Sequence, residues 1–273
     1  MRFHKKSGVL MSVFAWIGFI VLLSSASVES GDVNTVDATG RLAVLVYHHI
    51  EEPVTSDVSC TPKAFESQME ALQKSGFTPL DLEGARAFLA GALPNVRNPV
   101  LITFDDGYES LYVHALPVAR RLRIPMTVFM ITARAGLKPQ FTRYLSVSQI
   151  REMSDSGYFS FGSHTDDLHV DLLLIRSSFA RKPNPVLELL REDLLASRRK
   201  LEAIVGHPVF ALAWPYGKHD ADTRRIAREC GFTLQFTSRA GYNEPESDPY
   251  EIKRIPVTSR DSVASMLKKT GGR

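Results

Sequence analysis

This chain of 273 residues lacks several signatures of common protein classes. It contains no Walker loop, no G-x-G-x-x-G motif, no internal repeat and no low-complexity block, so nothing indicates a nucleotide-binding loop. Cysteine is scarce, since Cys60 and Cys230 lie far apart and form no C-x-x-C pair. An oxidising compartment would permit a disulfide between them, but we expect two unpaired thiols, with Cys230 buried at a helix end.

An excess of charge is also missing once the N-terminus is set aside. The formal net charge is +3, but Arg2, Lys5 and Lys6 lie in the first 26 residues, which contain no acidic residue. The rest of the chain carries 30 basic and 30 acidic residues. Because nucleic-acid binding needs a basic surface, this balance argues against a nucleic-acid partner.

The N-terminal segment 1–26 has the pattern of an export signal. A basic start precedes the run "VLMSVFAWIGFIVLL" (9–23), and the small residues "SSA" follow it. The run is slightly shorter than the roughly 20 residues that span a bilayer, so an uncleaved membrane anchor is the alternative. Either interpretation predicts a protein that works outside the cytoplasm, and the anchor would associate it with a membrane through this segment. Residues 27–40 are predicted to be a linker, 41–260 the folded domain and 261–273 a C-terminal tail.

Strand and helix patterns alternate along the domain. The apolar segments 41–50, 99–104, 125–132 and 158–164 are typical of strands, and helical patterns separate them. One long amphipathic helix is predicted from about 185 to 205, and its apolar stripe favours packing on the core over resting on a membrane. This alternation predicts an α/β fold with a mostly parallel sheet or barrel.

The segment "LITFDDGYES" (101–110) places two adjacent carboxylates, Asp105 and Asp106, at the end of a buried strand. A simple Asp-Gly turn is one explanation of these residues. However, a helix pattern follows, and the carboxyl ends of strands carry the chemistry in parallel α/β folds. Neighbouring side chains on a strand point in opposite directions, so the two carboxylates can have different roles.

Other polar residues also follow apolar runs. His164 and His169 lie five residues apart in "SHTDDLH", and they converge only if this segment is a curled loop. "VYHH" ends in His48 and His49, of which one is expected to point inward and the other away. Each pattern alone has an ordinary structural explanation. Together, one carboxylate and two histidines form a ligand set for a divalent metal, and the second carboxylate can serve as a base for the attacking water.

The ordered set "TFDDG", "SHTDDLH" and "WPYG" resembles the polysaccharide deacetylases of carbohydrate esterase family four. The resemblance covers residues 41–260. "VYHHI" and "TPKAFESQMEALQKSGF" are similar to the circularly permuted, biofilm-type poly-β-1,6-N-acetylglucosamine N-deacetylases. The resemblance to this family implies a distorted (β/α) barrel of about seven units in a single domain. It also implies a hydrolase that removes N-acetyl groups from an exported amino-sugar polysaccharide.

The resemblance also implies the roles of individual residues. Asp105 would be the general base and His48 the general acid. Asp106, His164 and His169 would hold one divalent ion, with zinc the default and cobalt or nickel also suited. The backbone N–H of Tyr216 would bind the oxyanion, and Trp214 and Pro215 would line the substrate site. Ala213 departs from many members of the family, which carry at that position an arginine that supports the base.

Three alternatives remain at this point. The same ligand set serves iron oxygenases. However, the sequence shows no pattern typical of a cosubstrate site, and the second carboxylate would have no role in such an enzyme. The substrate of a deacetylase could instead be chitin-like or a peptidoglycan. A non-catalytic, secreted glycan-binding or matrix-assembly protein on the same fold is the alternative to an enzyme.

Overall fold

The computed structural model describes residues 40–93, 95–140, 142–177 and 185–271. The predicted export segment and nearly all of the predicted linker lie outside these residues. Within the described ranges the strands are β1 Ala43–Tyr47, β2 Thr78–Leu80, β3 Pro99–Phe104, β4 Met126–Met130, β5 Phe159–Ser163, β6 Ala211–Ala213, β7 Leu234–Phe236 and β8 Ile255–Pro256.

Helices follow most strands. They are α1 Pro62–Lys74, α2 Leu82–Leu89, α3 Leu116–Leu122, α4 Val147–Asp155, α5 Leu172–Ser177, α6 Pro185–Val205, α7 Ala221–Glu229 and α8 Val263–Thr270. A π-helical turn over Leu111–Ala115 leads into α3. Among the described helices, none combines the length and the apolar character needed to cross a bilayer.

All strand pairs are parallel, in the order β7-β6-β5-β4-β3-β1-β8. β2 pairs with the first half of β3, and β4 pairs with its last two residues. The two ends of the order meet through a parallel bridge between Phe236 of β7 and Ile252, just before β8. The sheet therefore curls into a distorted (β/α) barrel in a single domain, which confirms the predicted fold.

The buried residues of the strands alternate between two hydrophobic clusters. In β1, Ala43 and Leu45 pack with the surrounding helices. Val44 and Leu42, the residue just before β1, belong to an inner cluster shared with other strands and the apolar face of α2. This alternation follows from the period of two residues in a strand. It determines which side chains at the strand ends face the barrel interior.

Local signals explain where the elements begin. Thr61 is the N-cap of α1, and its hydroxyl accepts the Ala64 N–H at 3.1 Å, with Pro62 in the first turn. Ser146 and Gln149 form the predicted capping box of α4. The long predicted helix appears as α6, whose apolar side chains face the core.

The segment beyond residue 260 belongs to the folded unit. The sequence predicts a tail at 261–273, but α8 lies there and packs against α1, with Met266 fully buried. Ser262 caps this helix by accepting the Ser265 N–H at 3.2 Å. The eight-residue helix has too few apolar positions for its pattern to stand out in the sequence.

Both cysteines are buried and unpaired, as expected. Cys230 follows the last turn of α7, and Cys60 lies beside Ile50 in the connection after β1. Burial raises the pKa of Cys60 to about 12, so its thiol is protonated and unreactive at neutral pH.

Candidate active site

Asp105 faces the barrel interior from the carboxyl end of β3. It has the same strand parity as Leu101, which belongs to the inner cluster, and it is almost fully buried. Arg254 donates two hydrogen bonds to it, from Nη1 to Oδ1 at 2.7 Å and from Nη2 to Oδ2 at 2.8 Å. Burial alone would raise the pKa of Asp105, but the Arg254 guanidinium and His164 outweigh it and hold the pKa well below its usual range. Asp105 is therefore ionised at neutral pH.

Arg254 is the partner of Asp105 that sequence analysis missed. Its Nε also donates to the Thr237 carbonyl at 2.8 Å, which fixes the guanidinium between β7 and the start of β8. Ala213 stands where the resembled family often has an arginine, and the guanidinium comes instead from the end of the chain. The sequence signal that could have revealed Arg254 was its position, as a charged residue, just before the apolar end of the segment "YEIKRIPV".

Asp106 lies in a sharp turn directly after Asp105. Its φ is +73°, and Gly107 follows at +79°, where a Cβ would overlap the Met130 sulfur. Tyr108 donates its hydroxyl to Asp106 Oδ2 at 2.9 Å. The other carboxylate oxygen, Oδ1, is buried and has no hydrogen-bond partner among the described residues. A buried, unpaired carboxylate oxygen is costly, which indicates a site for a ligand.

Two histidines face this unpaired oxygen. The Nε2 atoms of His164 and His169 lie 3.6 Å and 3.4 Å from Asp106 Oδ1. His164 Nδ1 lies 2.7 Å from the Ala213 carbonyl, which can only accept a hydrogen bond. His164 Nδ1 therefore carries a hydrogen and donates it to this carbonyl, which leaves Nε2 as the ring nitrogen that faces Asp106. One ligand atom from each of the three residues lies within 4.8 Å of the others, so the set fits a divalent metal.

His169 lies opposite Asp106 because the segment after β5 is a curled loop. The sequence predicted that His164 and His169 would converge only in such a loop. Thr165 adopts a φ of +75° in this loop. Burial and the nearby His164 lower the pKa of His169 to about 4. Its imidazole is therefore neutral at physiological pH, which is the state that binds a metal.

His48 and His49 separate as the strand pattern predicts. His48 lines the same cavity as Asp105, and burial lowers its pKa although nearby carboxylates oppose that effect. Its Nδ1 is buried and has no hydrogen-bond partner within the described part of the chain. His49 points away, with Nδ1 3.0 Å from Glu51 and its ring edge-on to Tyr108.

The "WPYG" segment forms one wall of the cavity. Trp214 is fully buried, and its Nε1 donates to Gln235 at 3.2 Å. Tyr216 has a φ of +55° and is 59% exposed, with its ring centroid 5.0 Å from that of His169. Pro215 is buried and lies outside the cavity lining.

The cavity has a volume of about 450 Å³. It holds five predicted polar side chains together with the predicted Trp214 and Tyr216, and Val58, Ser238, Arg254 and Pro256 contribute to the rest of its lining. Its floor carries the ionised Asp105, the metal-ligand set of Asp106, His164 and His169, and the His48 imidazole, and its rim carries exposed apolar surface. This arrangement suits hydrolysis of a bond in a sugar-sized group.

Comparisons with known proteins agree with this geometry. The family model described as polysaccharide deacetylase matches residues 93–235, just over half of the chain. The chain is 31% identical over 216 residues to the poly-beta-1,6-N-acetyl-D-glucosamine N-deacetylase of Staphylococcus epidermidis, which covers 78% of this chain and 73% of that protein. It is 26% identical over 230 residues to the protein of the same name from Staphylococcus aureus, which covers 83% and 77%. The structure of IcaB from Ammonifex degensii matches with a TM-score of 0.73 and 31% identity over 85% of this chain and 97% of that one.

Proposed function

Because this chain belongs to the polysaccharide deacetylase family, we propose that it is a metal-dependent enzyme that hydrolyses N-acetyl groups of an exported N-acetylglucosamine polymer. One observation carries the proposal. Asp106, His164 and His169 converge around an unpaired carboxylate oxygen, in the same cavity as Asp105 and His48.

A divalent cation, zinc in our proposal, would be held by Asp106, His164 and His169, and when bound it supplies Lewis-acid polarisation of the acetyl carbonyl and of the attacking water. Cobalt or nickel would suit the same ligands. The Ala213 carbonyl orients His164, and the Tyr108 hydroxyl orients Asp106. Each of these two residues is thereby held with a ligand atom facing the other ligands, which supports metal binding by this set.

Asp105 is the proposed general base. Each of its oxygens accepts one hydrogen bond from Arg254 and retains a lone pair. Oδ2 lies 3.9 Å from His164 Nε2, which puts the base next to the metal ligands. In this position Asp105 can take a proton from water as its oxygen attacks the acetyl carbon.

His48 is the proposed general acid. It lies on the inward face at the end of β1, beside β3 and its Asp105. Burial lowers the pKa of His48 and the nearby Asp105 and Asp106 carboxylates oppose that effect, so these carboxylates favour the protonated imidazole that would donate to the departing amine. The C–N bond then breaks to give acetate and a free amine. The backbone N–H of Tyr216, whose left-handed conformation sets the direction of the amide, is proposed to stabilise the oxyanion.

The proposed polymer is poly-β-1,6-N-acetylglucosamine. The names of the Staphylococcus relatives support this linkage over the β-1,4 linkage of chitin-like glycans or peptidoglycan. The basic start and the apolar run over 9–23 support export through the N-terminal segment, either cleaved or retained as an anchor. A non-catalytic matrix protein would have no need of the base, the acid and the three ligands together.

The test is an assay of free-amine release by purified, metal-stripped protein with and without added Zn²⁺, Co²⁺ or Ni²⁺. We expect release only with metal, and faster release from β-1,6-linked than from β-1,4-linked N-acetylglucosamine oligomers of equal length. Equal or faster turnover of the β-1,4 oligomers would reject the linkage. If metal-loaded protein releases no amine from any oligomer but binds it, the chain is a glycan-binding protein.

A further inference from the structure

Helix α6 carries three polar residues along the side that meets the end of β5 and the loop after it. Asp193, Ser197 and Lys200 are four and three residues apart, so they lie on one side of the helix. The neighbouring buried positions of the helix are apolar: Val186, Leu190, Leu194 and Leu201. Asp193 and Ser197 are buried within this apolar surface. Buried polar groups are costly unless they are hydrogen-bonded, so their partners explain why they are there.

The Asp193 carboxylate binds three consecutive backbone amides of the loop that carries His169. Oδ1 accepts the Asp166 N–H at 2.8 Å, and Oδ2 accepts the Asp167 and Leu168 N–H groups at 2.7 and 2.9 Å. Burial raises the pKa of Asp193, and the three amide hydrogen bonds oppose that rise. His169 is the next residue in the chain.

Lys200 and Ser197, the other two polar residues on this side of α6, hold the same loop. Lys200 Nζ lies 2.7 Å from both oxygens of Asp166, and Thr132 donates to Asp166 Oδ1 at 2.5 Å. Ser197 Oγ lies 2.7 Å from Ser163 Oγ, which accepts the Thr165 N–H at 3.0 Å. The segment between the two histidines is therefore bound to α6 near its start and through its middle.

We propose that Asp193 is a positioning residue for the metal site, which fixes the backbone of residues 166–168 and thereby keeps His169 Nε2 opposite Asp106. This inference rests on the proposed metal centre and adds the element that preorganises it. Within the described part of the chain these amides have no strand or helix partner, and the Asp193 carboxylate accepts all three of them. Without the carboxylate, His169 would have to be ordered by the metal itself, at a cost in affinity.

The variant Asp193→Asn tests this role. It keeps the shape of the side chain but replaces one accepting oxygen with an NH₂ group that cannot accept an N–H. The matched control is Glu192→Gln, which removes a carboxylate from the adjacent, exposed position of the same helix. Metal-free protein is titrated with Co²⁺, whose visible absorption reports the ligand geometry, and with Zn²⁺ by calorimetry. Circular dichroism of the metal-free proteins checks the fold.

We expect Glu192→Gln to bind metal like the wild type. Asp193→Asn should bind about 10–100-fold more weakly, which is typical of lost outer-sphere support, and its Co²⁺ spectrum should change. A dissociation constant within about twofold of wild type, together with an unchanged spectrum, would overturn the inference.

A second variant keeps the test decisive if Asp193→Asn does not fold. Lys200→Met removes the cation that holds Asp166, and the Lys200 side chain is half exposed, so the core is little affected. We expect a several-fold loss of Co²⁺ affinity with an unchanged dichroism spectrum, and unchanged affinity would count against a loop held by α6. If wild type and Glu192→Gln bind no metal, the metal centre itself is overturned, a result distinct from a failure confined to Asp193.

Discussion

Arg254 and Asp105 form a buried, two-pronged ion pair between residues 149 positions apart in the sequence. The guanidinium comes from the residue before β8, and the carboxylate comes from the residue after β3. Because β1 lies between these strands in the sheet, the pair crosses the barrel interior rather than joining adjacent strands. It fixes both oxygens of the proposed base and keeps them ionised.

Replacing Arg254 by Met should destabilise the protein by about 3–5 kcal/mol at neutral pH, because a buried carboxylate loses its partner. The pKa of Asp105 should then rise. The paired Asp105 has a depressed pKa, so its contribution to stability is present above the ordinary carboxyl pKa of about 4 and is lost as the pH falls through the folded value. The cost of the variant should therefore shrink in acid. Urea unfolding at several pH values measures it.

Two further variants separate the ion pair from a general loss of charge. Arg239→Met removes an exposed arginine that pairs with Glu251, and it should change stability by less than about 1 kcal/mol. The double variant Arg254→Met/Asp105→Asn should recover part of the stability lost in the single variant, because no buried charge remains. A single variant as stable as wild type would contradict the role given to the pair.

The sequence predicted the fold and the strand-end residues because both depend on local patterns. The apolar run 99–104 coincides with β3, and the amphipathic pattern of 185–205 coincides with α6. Strand parity and the carboxyl-end rule were enough to nominate the pairs Asp105/Asp106 and His48/His49. The family resemblance then selected Asp105 and His48 for the base and the acid, and both side chains line one cavity.

The partners of these residues could not be predicted from local patterns. Arg254, Asp193 and Tyr108 act through contacts that depend on which strands and helices are neighbours, and periodicity does not encode this. Only two residues of the segment "YEIKRIPV" pair as a strand, so the pattern of the segment did not show which side chains face inward. The position of Asp193 in the apolar stripe of α6 was a sequence signal of its role, because a buried charge needs a specific partner.

Asp105 and Asp106 should respond differently to replacement by Asn. Asp105→Asn leaves the three metal ligands in place, so metal should remain bound while kcat falls by roughly 10²–10⁴. Asp106→Asn removes the one anionic ligand of the set, so metal affinity should fall and added metal should restore part of the activity. Metal content measured beside kcat for each variant distinguishes them. The reverse pattern would exchange the two roles.

Tyr108→Phe tests the hydroxyl that holds Asp106. Loss of this hydrogen bond frees the carboxylate to rotate, so metal affinity should fall by about tenfold or more, as for other residues that orient a ligand. Tyr144→Phe is the matched control, since Tyr144 stacks on Tyr108 but its hydroxyl contacts Arg134. Calorimetric titration with Zn²⁺ measures both. Equal affinities for the two variants would show that the Tyr108 hydroxyl does not orient the ligand.

His48 and His49 give a test of the general acid with its control in the neighbouring residue. His48→Ala should lower kcat on N-acetyl oligomers by roughly 10²–10⁴, because the amine leaves only after protonation. His49→Ala should have a much smaller effect, since that ring faces Glu51 and Tyr108 rather than the cavity. An aryl acetate provides a sharper comparison, because its phenolate leaves without a proton and His48→Ala should then retain most of its activity. Rates for both variants on both substrates test whether His48 donates the proton to the leaving amine. A proportionate loss on the aryl ester would indicate that His48 shapes the site or binds the substrate rather than donating the proton.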